Sequence, residues 1–157
     1  MGTITANTFT YSFSNGLFTQ KSAMNNARIL HACILHTMPN GDRTVVVAGG
    51  AASISGTIQA LNSVEYYDIN GDTWYLLNAL PNYSNRGALW SQDDVLYYFG
   101  GCGSNIPEDY PNFDSEYCGE TQWISMDGDL TNPSNNWNNF QAGSFVQPTD
   151  MYMVINY

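Results

Sequence analysis

Basic residues are nearly missing. Lys and Arg together number four against 14 Asp and Glu, and the 157-residue chain carries a formal net charge of −10. Neutralising phosphates takes clustered Lys and Arg, so nucleic acid and anionic membranes are not expected partners. A basic partner is compatible with this charge, though solubility alone accounts for it. No apolar run approaches the ~20 residues of a membrane-spanning helix, so membrane insertion is not expected either. Met1 to Tyr11 has neither a basic stretch nor an apolar one, and no signal peptide is expected there. Cysteines number three and none are spaced C-x-x-C, which speaks against zinc. Phosphate loops, dinucleotide fingerprints and G-x-S-x-G turns are missing. No cofactor is expected.

The chain is 43% hydrophobic and 11% charged, which sets it apart from disordered sequences and allows one domain with a core. Its Tyr, Phe, Trp, Gly and Asn favour strands and tight turns. The stretch Ser63 to Trp74, SVEYYDINGDTW, shows both. Asp68, Asn70 and Asp72 copy the start of a calcium loop, yet the twelfth position, where a bidentate Glu belongs, is Ala79. Asn-Gly between two aromatic strands is a strong hairpin signal, so a turn is expected and a metal is not.

The hairpin recurs. Tyr67 is followed seven residues later by Trp74, and Tyr11 seven residues later by Phe18. Leu80 and Met24 lie six residues beyond those aromatics, and an arginine follows each hairpin, Arg28 and then Arg86. Apolar runs close on Gly49-Gly50 and on Gly100-Gly101, 51 residues apart. A weaker hairpin, TQWISMDGD, leads to Trp137. The stretch MYMVI follows Asp150 as VLYYF follows Asp94. The unit is a four-stranded sheet, strands a to d, of about 50 residues. The complete copy has strand a at 31–37, b at 44–48, c at 64–68 and d at 74–77. The chain divides into strands c and d of a partial unit (1–27), a complete unit (28–81), a second and more divergent one (82–142), and strands a and b of a partial unit (143–157).

This pattern resembles the kelch repeat, on Arg28, His31, Gly49, Gly50, Tyr67, Asp68 and Trp74 of the complete unit, with Gly100, Gly101 and Trp137 in the next. The resemblance implies an all-β fold of four-stranded antiparallel blades, a segment of a kelch-type β-propeller that does not close as a single chain. It also implies a non-catalytic module that binds a protein partner. Arg28 is expected to donate to backbone carbonyls at the junction with the next blade, and His31 to pack. A sugar-binding or carbohydrate-active propeller, lectin or galactose-oxidase-like, is the alternative, but the copper site of galactose oxidase finds no matching Tyr, Cys and His set here.

Strand direction alternates, so the b–c and d–a connections share one face of a blade. The b–c connections, 51–62 and 102–120, are expected to be long loops, and long loops on a rigid scaffold carry binding. Tyr83, Arg86, Tyr110 and Phe113 are the expected partner-binding residues, although a structural role for the arginine competes with that. The carboxylates Glu108, Asp109, Asp114, Glu116 and Glu120 sit in the second loop as a solvated flap. Cys102 and Cys118 bracket that loop and would pair in an oxidising compartment, a slight lean toward an extracellular setting that leaves the compartment unknown. Three blades' worth of sequence cannot close a ring of four to eight blades. Either the chain is a segment of a longer propeller, or two copies form a homodimer that completes a six-bladed ring.

Overall fold

The computed structural model describes residues 3–102 and 122–139. Tyr110, Phe113, Cys118 and the segment 143–157 lie outside the described residues. The regular elements among the described residues are all strands. In chain order they are β1 (Thr8–Ser12), β2 (Leu17–Lys21), β3 (Ala32–Thr37), β4 (Arg43–Ala48), β5 (Ala51–Ile54), β6 (Thr57–Ala60), β7 (Val64–Asp68), β8 (Thr73–Leu77), β9 (Asn85–Gln92), β10 (Val95–Cys102), β11 (Gln122–Asp127) and β12 (Asn138–Asn139). They form two four-stranded antiparallel sheets, β3-β4-β7-β8 and β9-β10-β11-β12, and two hairpins, β1-β2 and β5-β6.

The β5-β6 hairpin corrects the sequence reading, which treats 51–62 as loop. Ser55 and Gly56 both take positive φ, 52° and 83°. Two such residues in the two-residue connection make a primed turn, whose twist matches that of antiparallel strands.

Side chains alternate across the first blade in register. Leu35, Val45, Tyr67 and Trp74 form one cross-strand row on one face, and Ile34, Val46, Tyr66 and Tyr75 form a row on the other. The second face meets the next blade. Ala32, Val46, Ala48, Val64 and Tyr66 pack there with Leu96, Tyr98, Ile124, Met126 and Trp137 in one buried cluster. The core therefore lies between sheets. A lone sheet buries neither face, and each aliphatic side chain sealed between two of them contributes roughly 1.5–3 kcal/mol.

His36 bridges the blades inside this core. Its Nε2 lies 2.8 Å from the Gly128 carbonyl and its Nδ1 lies 2.8 Å from Ser91 Oγ. A carbonyl can only accept, so the Nε2 nitrogen carries the hydrogen. A Cβ on Gly128 would stand 2.8 Å from the histidine ring and 2.5 Å from the Asp94 carbonyl oxygen, so glycine is required there.

The indoles tie each blade backwards. Trp74 Nε1 donates to the Ser22 carbonyl at 3.0 Å, one residue past β2. Trp137 Nε1 donates to the Asn78 carbonyl at 3.0 Å, one residue past β8. The same contact thus recurs at both junctions.

Gly49 and Gly100 hold equivalent positions with φ of +62° and +67°, but only the first is crowded: a Cβ at Gly49 would lie 2.2 Å from the Ser84 carbonyl oxygen, and one at Gly100 would meet nothing within 4 Å. Gly100→Ala should cost only the left-handed backbone term of roughly 1–2 kcal/mol. Gly49→Ala should cost clearly more, because the backbone of the next blade must move. Urea midpoints of the two variants check this, and equal losses would refute it.

Candidate functional site

The segment entering the first blade is fastened by a buried ion pair. Arg28 and Glu65 are both fully buried and lie 2.5 Å apart, Nη2 to Oε1. The guanidinium also donates to the Gly49 carbonyl at 2.7 Å and the Ser63 carbonyl at 3.0 Å. Glu65 accepts the backbone N–H groups of Asn25 at 2.6 Å and Asn26 at 3.0 Å, and both of their side-chain amides. Burial pushes the Glu65 carboxyl up, but these donors outweigh it and hold the group below its ordinary value. Burial lowers Arg28 more than Glu65 raises it, yet a guanidinium stays charged in a protein. The carbonyls that Arg28 grips belong to its own blade, contrary to the expectation that it reaches into the next one. The reason is Glu65 on β7, which draws the guanidinium inward.

Register also corrects the pairing of the arginines. Ala32 faces Ala48 and Ala88 faces Phe99, each one residue before a glycine pair. Arg86 is therefore the counterpart of Leu30, and Arg28 is the counterpart of Ser84. Leu30 and Arg86 share an uncommon positive φ, 56° and 59°, and the Arg86 N–H donates to the Leu30 carbonyl at 2.8 Å. In the second blade Ser84 takes the buried place of Arg28, and Tyr98 fills the remaining volume. Tyr98 donates to Ser84 Oγ at 2.9 Å, and a Cβ on Gly87 would stand 2.1 Å from the phenol oxygen.

The Asp68 to Asp72 turn works by hydrogen bonding. Asp68 Oδ1 accepts from the Asn70 N–H at 2.9 Å. Asp72 Oδ1 accepts from Tyr67 Oη at 2.6 Å and from the Ser22 N–H at 2.9 Å. Burial first, then Asp72, pushes the Tyr67 phenol to about 12. The phenol, and after it the Ser22 N–H, holds the Asp72 carboxyl below its usual range.

The connections at the other end of the blades interlock. The Ser84 N–H donates to the Leu61 carbonyl at 2.9 Å, Gly50 N–H to the Ser84 carbonyl at 2.8 Å, and Leu80 N–H to the Asn62 carbonyl at 2.8 Å. Ile29 bridges Ala51 as an isolated strand contact. This platform displays Tyr83, 57% exposed, with Ile29, Leu30 and Ile54. Arg86 is half-buried beside Leu30. Tyr83 and Arg86 thus fall on one face, while the other two expected binding residues lie outside the described residues. Cys102 is disulfide-bonded and Cys33 is a free thiol.

Comparison with known proteins finds the same repeat. The kelch motif model matches residues 32–81. The F-box/kelch-repeat protein OR23 of Arabidopsis thaliana is 33% identical over 82 residues, covering 50% of this chain and 18% of that protein. Residues 32–81 thus carry a kelch motif. A solved structure, that of YjhT, superposes with a TM-score of 0.58 at 15% identity, over 81% of this chain and 42% of the other. The fold is an unclosed segment of a kelch-type β-propeller with four-stranded antiparallel blades. The chain spans less than a fifth of the curated relative and less than half of the solved one.

Within the kelch frame, Gly49 and Gly50 close β4 with positive φ, and Gly100 and Gly101 do the same within β10. Added Cβ atoms at Gly50 and Gly101 would strike the Ile29 carbonyl at 2.6 Å and the Ser84 hydroxyl respectively. His31 sits against Gly50, its Nδ1 buried without a partner. Burial, then Arg28, lowers its pKa. Tyr67 and Trp74 are directly paired, ring centroids 5.1 Å apart, and Trp137 meets Tyr98 edge to face. Glu65 is the residue that sequence reasoning missed. Its one signal is a carboxylate inside an otherwise apolar strand, preceded far upstream by Asn-Asn and Arg.

Removing half of a buried ion pair leaves an unpaired charge, so Glu65→Gln should cost roughly 3–5 kcal/mol, and Arg28→Met with Glu65→Leu should cost less than the sum of the single changes. The Glu65 pKa is depressed by folding, so its stabilisation is fully present above the ordinary value of 4.5 and is lost as pH falls through the folded value. Chemical denaturation between pH 6 and 3, at about those limits, should show a steeper acid loss in the parent chain than in Glu65→Gln. Parallel curves would remove Glu65 from this role.

Proposed function

We propose that this chain is a non-catalytic protein–protein interaction module that binds its partner through the b–c and d–a connections. The supporting observation is the interlocked platform. Its backbone is fixed by hydrogen bonds between 49–51, 61–62 and 80–86, and it exposes Tyr83, Ile29, Leu30 and Ile54 together. Binding surfaces commonly use aromatic and arginine anchors on such rigid supports. Leu30 and Arg86 are held in left-handed backbone at equivalent positions of two successive blades. Strained backbone of this kind persists where the surroundings over-determine it. The family carries the same reading, since the similar F-box/kelch-repeat protein is named for this repeat.

In this reading the blade boundaries are 1–27, 28–81, 82–142 and 143–157, the outer two being partial blades. Tyr110 and Phe113 join Tyr83 and Arg86 on the binding face. The chain is either a segment of a longer propeller or one half of a homodimer that completes a six-bladed ring.

Quantitative pull-downs from the cell of origin test the loop face. Tyr83→Ala combined with Arg86→Ala should reduce capture of the specific partner at least tenfold. Asp93→Ala with Asp94→Ala, in the turn joining β9 to β10 at the opposite end, should leave it unchanged. Loss with the turn variant and retention with the loop variant would overturn the assignment.

A further inference from the structure

Asparagine precedes glycine at three places, Asn15-Gly16, Asn40-Gly41 and Asn70-Gly71. Each pair lies in a connection between two paired strands: β1 to β2, β3 to β4, and β7 to β8. This dipeptide can react with itself. The glycine backbone nitrogen gives up its proton and attacks the asparagine Cγ. A C–N bond forms, the Cγ–Nδ2 bond breaks, and ammonia leaves behind a cyclic imide. Water then opens the imide at either carbonyl, giving aspartate or its β-linked isomer, isoaspartate. Asparagine is thermolabile for this reason, and glycine places no side chain in the way of the attacking nitrogen.

Exposure does not separate the three sites, since all three asparagines are exposed. Hydrogen bonding does. The Gly16 N–H donates to the Ser12 carbonyl at 2.8 Å, and Asn15 Oδ1 accepts from the Leu17 N–H at 3.1 Å. The Gly41 N–H donates to the Met38 carbonyl at 2.8 Å. Asn40 is held at both ends of its amide: Oδ1 accepts from the Asp42 N–H, and Nδ2 donates to Asp42 Oδ2, each at 2.9 Å. At both sites the attacking nitrogen and the amide it must reach are tied down. At the third site the bond is elsewhere, from the Asn70 N–H to Asp68 Oδ1 at 2.9 Å. Among the described residues, neither the Asn70 side chain nor the Gly71 N–H has a hydrogen-bond partner. Asp68 and Asp72 oppose proton loss at Gly71, as Asp42 does at Gly41, and salt screens both effects.

We infer that Asn70 is a site of spontaneous modification, where the folded chain converts asparagine to aspartate and isoaspartate ahead of Asn15 and Asn40. The position gives the change a consequence. Asp72, two residues on, accepts from Tyr67 Oη at 2.6 Å and from the Ser22 N–H at 2.9 Å, fastening the segment after the first hairpin to the blade. The β-linked product lengthens the main chain of this turn by a methylene and displaces Asp72 from those donors. Either product also sets a new carboxylate between Asp68 and Asp72. Conversion at Asn70 therefore loosens the seat of Ser22.

Peptide mapping by mass spectrometry tests this on the 157-residue chain, incubated folded at mildly alkaline pH and physiological ionic strength. Asn70 should convert from amide to acid at least fivefold faster than Asn15 and Asn40. In concentrated urea the turn bonds are lost, and the three rates should converge. Equal rates in the folded chain, or a lead at Asn70 that persists in urea, would overturn the inference. Amide hydrogen exchange reads the consequence: the Ser22 N–H should exchange at least threefold faster in the isoaspartate fraction than in the parent chain. Unchanged exchange there would overturn the claimed effect on the hairpin.

Discussion

The architecture depends on one repeated contact, the indole of strand d reaching back to the carbonyl just beyond strand d of the preceding blade. It appears at Trp74 to Ser22 and at Trp137 to Asn78, each at 3.0 Å. An indole has a large apolar body and a single donor. Buried between sheets, it needs an acceptor at one fixed place. That need sets the spacing between blades as well as holding them together. An aliphatic residue at the same position would seal the surface without fixing how far one sheet slides over the next. The neighbouring side chains follow from it: Asp72 beside Trp74 accepts Tyr67 and the Ser22 N–H, while the Asn135 carbonyl and the Asn136 side chain beside Trp137 accept the Asn78 amide.

The two blades solve the same problem at their inner ends with different chemistry. The first seals its entry segment with a carboxylate and a guanidinium, and the second with a phenol and a hydroxyl. Both close the same carbonyls: Arg28 donates to Gly49, and Ser84 reaches the equivalent Gly100 carbonyl at 3.4 Å. Register explains the trade. Val47 stands opposite Glu65 in the first blade, and Tyr98 stands opposite Ile124 in the second. Where the side chain on strand b is small, charge fills the space. Where it is large, the position on strand c becomes apolar and the arginine has no counter-ion to meet. Gly87 is then obligatory, because the Tyr98 ring occupies the place of its Cβ.

Much of this fold was legible because aromatic and glycine landmarks repeat at nearly constant intervals. The strand expected at 64–68 is β7, and the one expected at 44–48 is β4, which begins one residue earlier. What stayed hidden had physical causes. The β5-β6 hairpin carries no aromatic, so it left no mark on a pattern built from aromatics, although Ser55-Gly56 is a turn signal between alternating residues. The arginines were matched by residue type, whereas backbone register matches Arg28 to Ser84. Glu65 was invisible because a buried carboxylate reads as a surface one until its donors are known, and those donors come from 37 to 40 positions away. Tyr83 and Arg86 were assigned to one face from strand alternation alone. Their neighbours Ile29, Leu30 and Ile54 could not be read that way, since backbone angles and the β5-β6 hairpin place them.

A stacked-sheet design leaves few residues for recognition. Every strand position belongs to one of two faces, and in the centre of the molecule both are consumed by packing: one row holds Trp74 against the first hairpin, the other holds Tyr66 against the second blade. Substituting such residues alters stability before it alters any surface. The connections escape this constraint, since their backbones are pinned by hydrogen bonds while their side chains project. Recognition by the loops can diverge between relatives with no cost to packing.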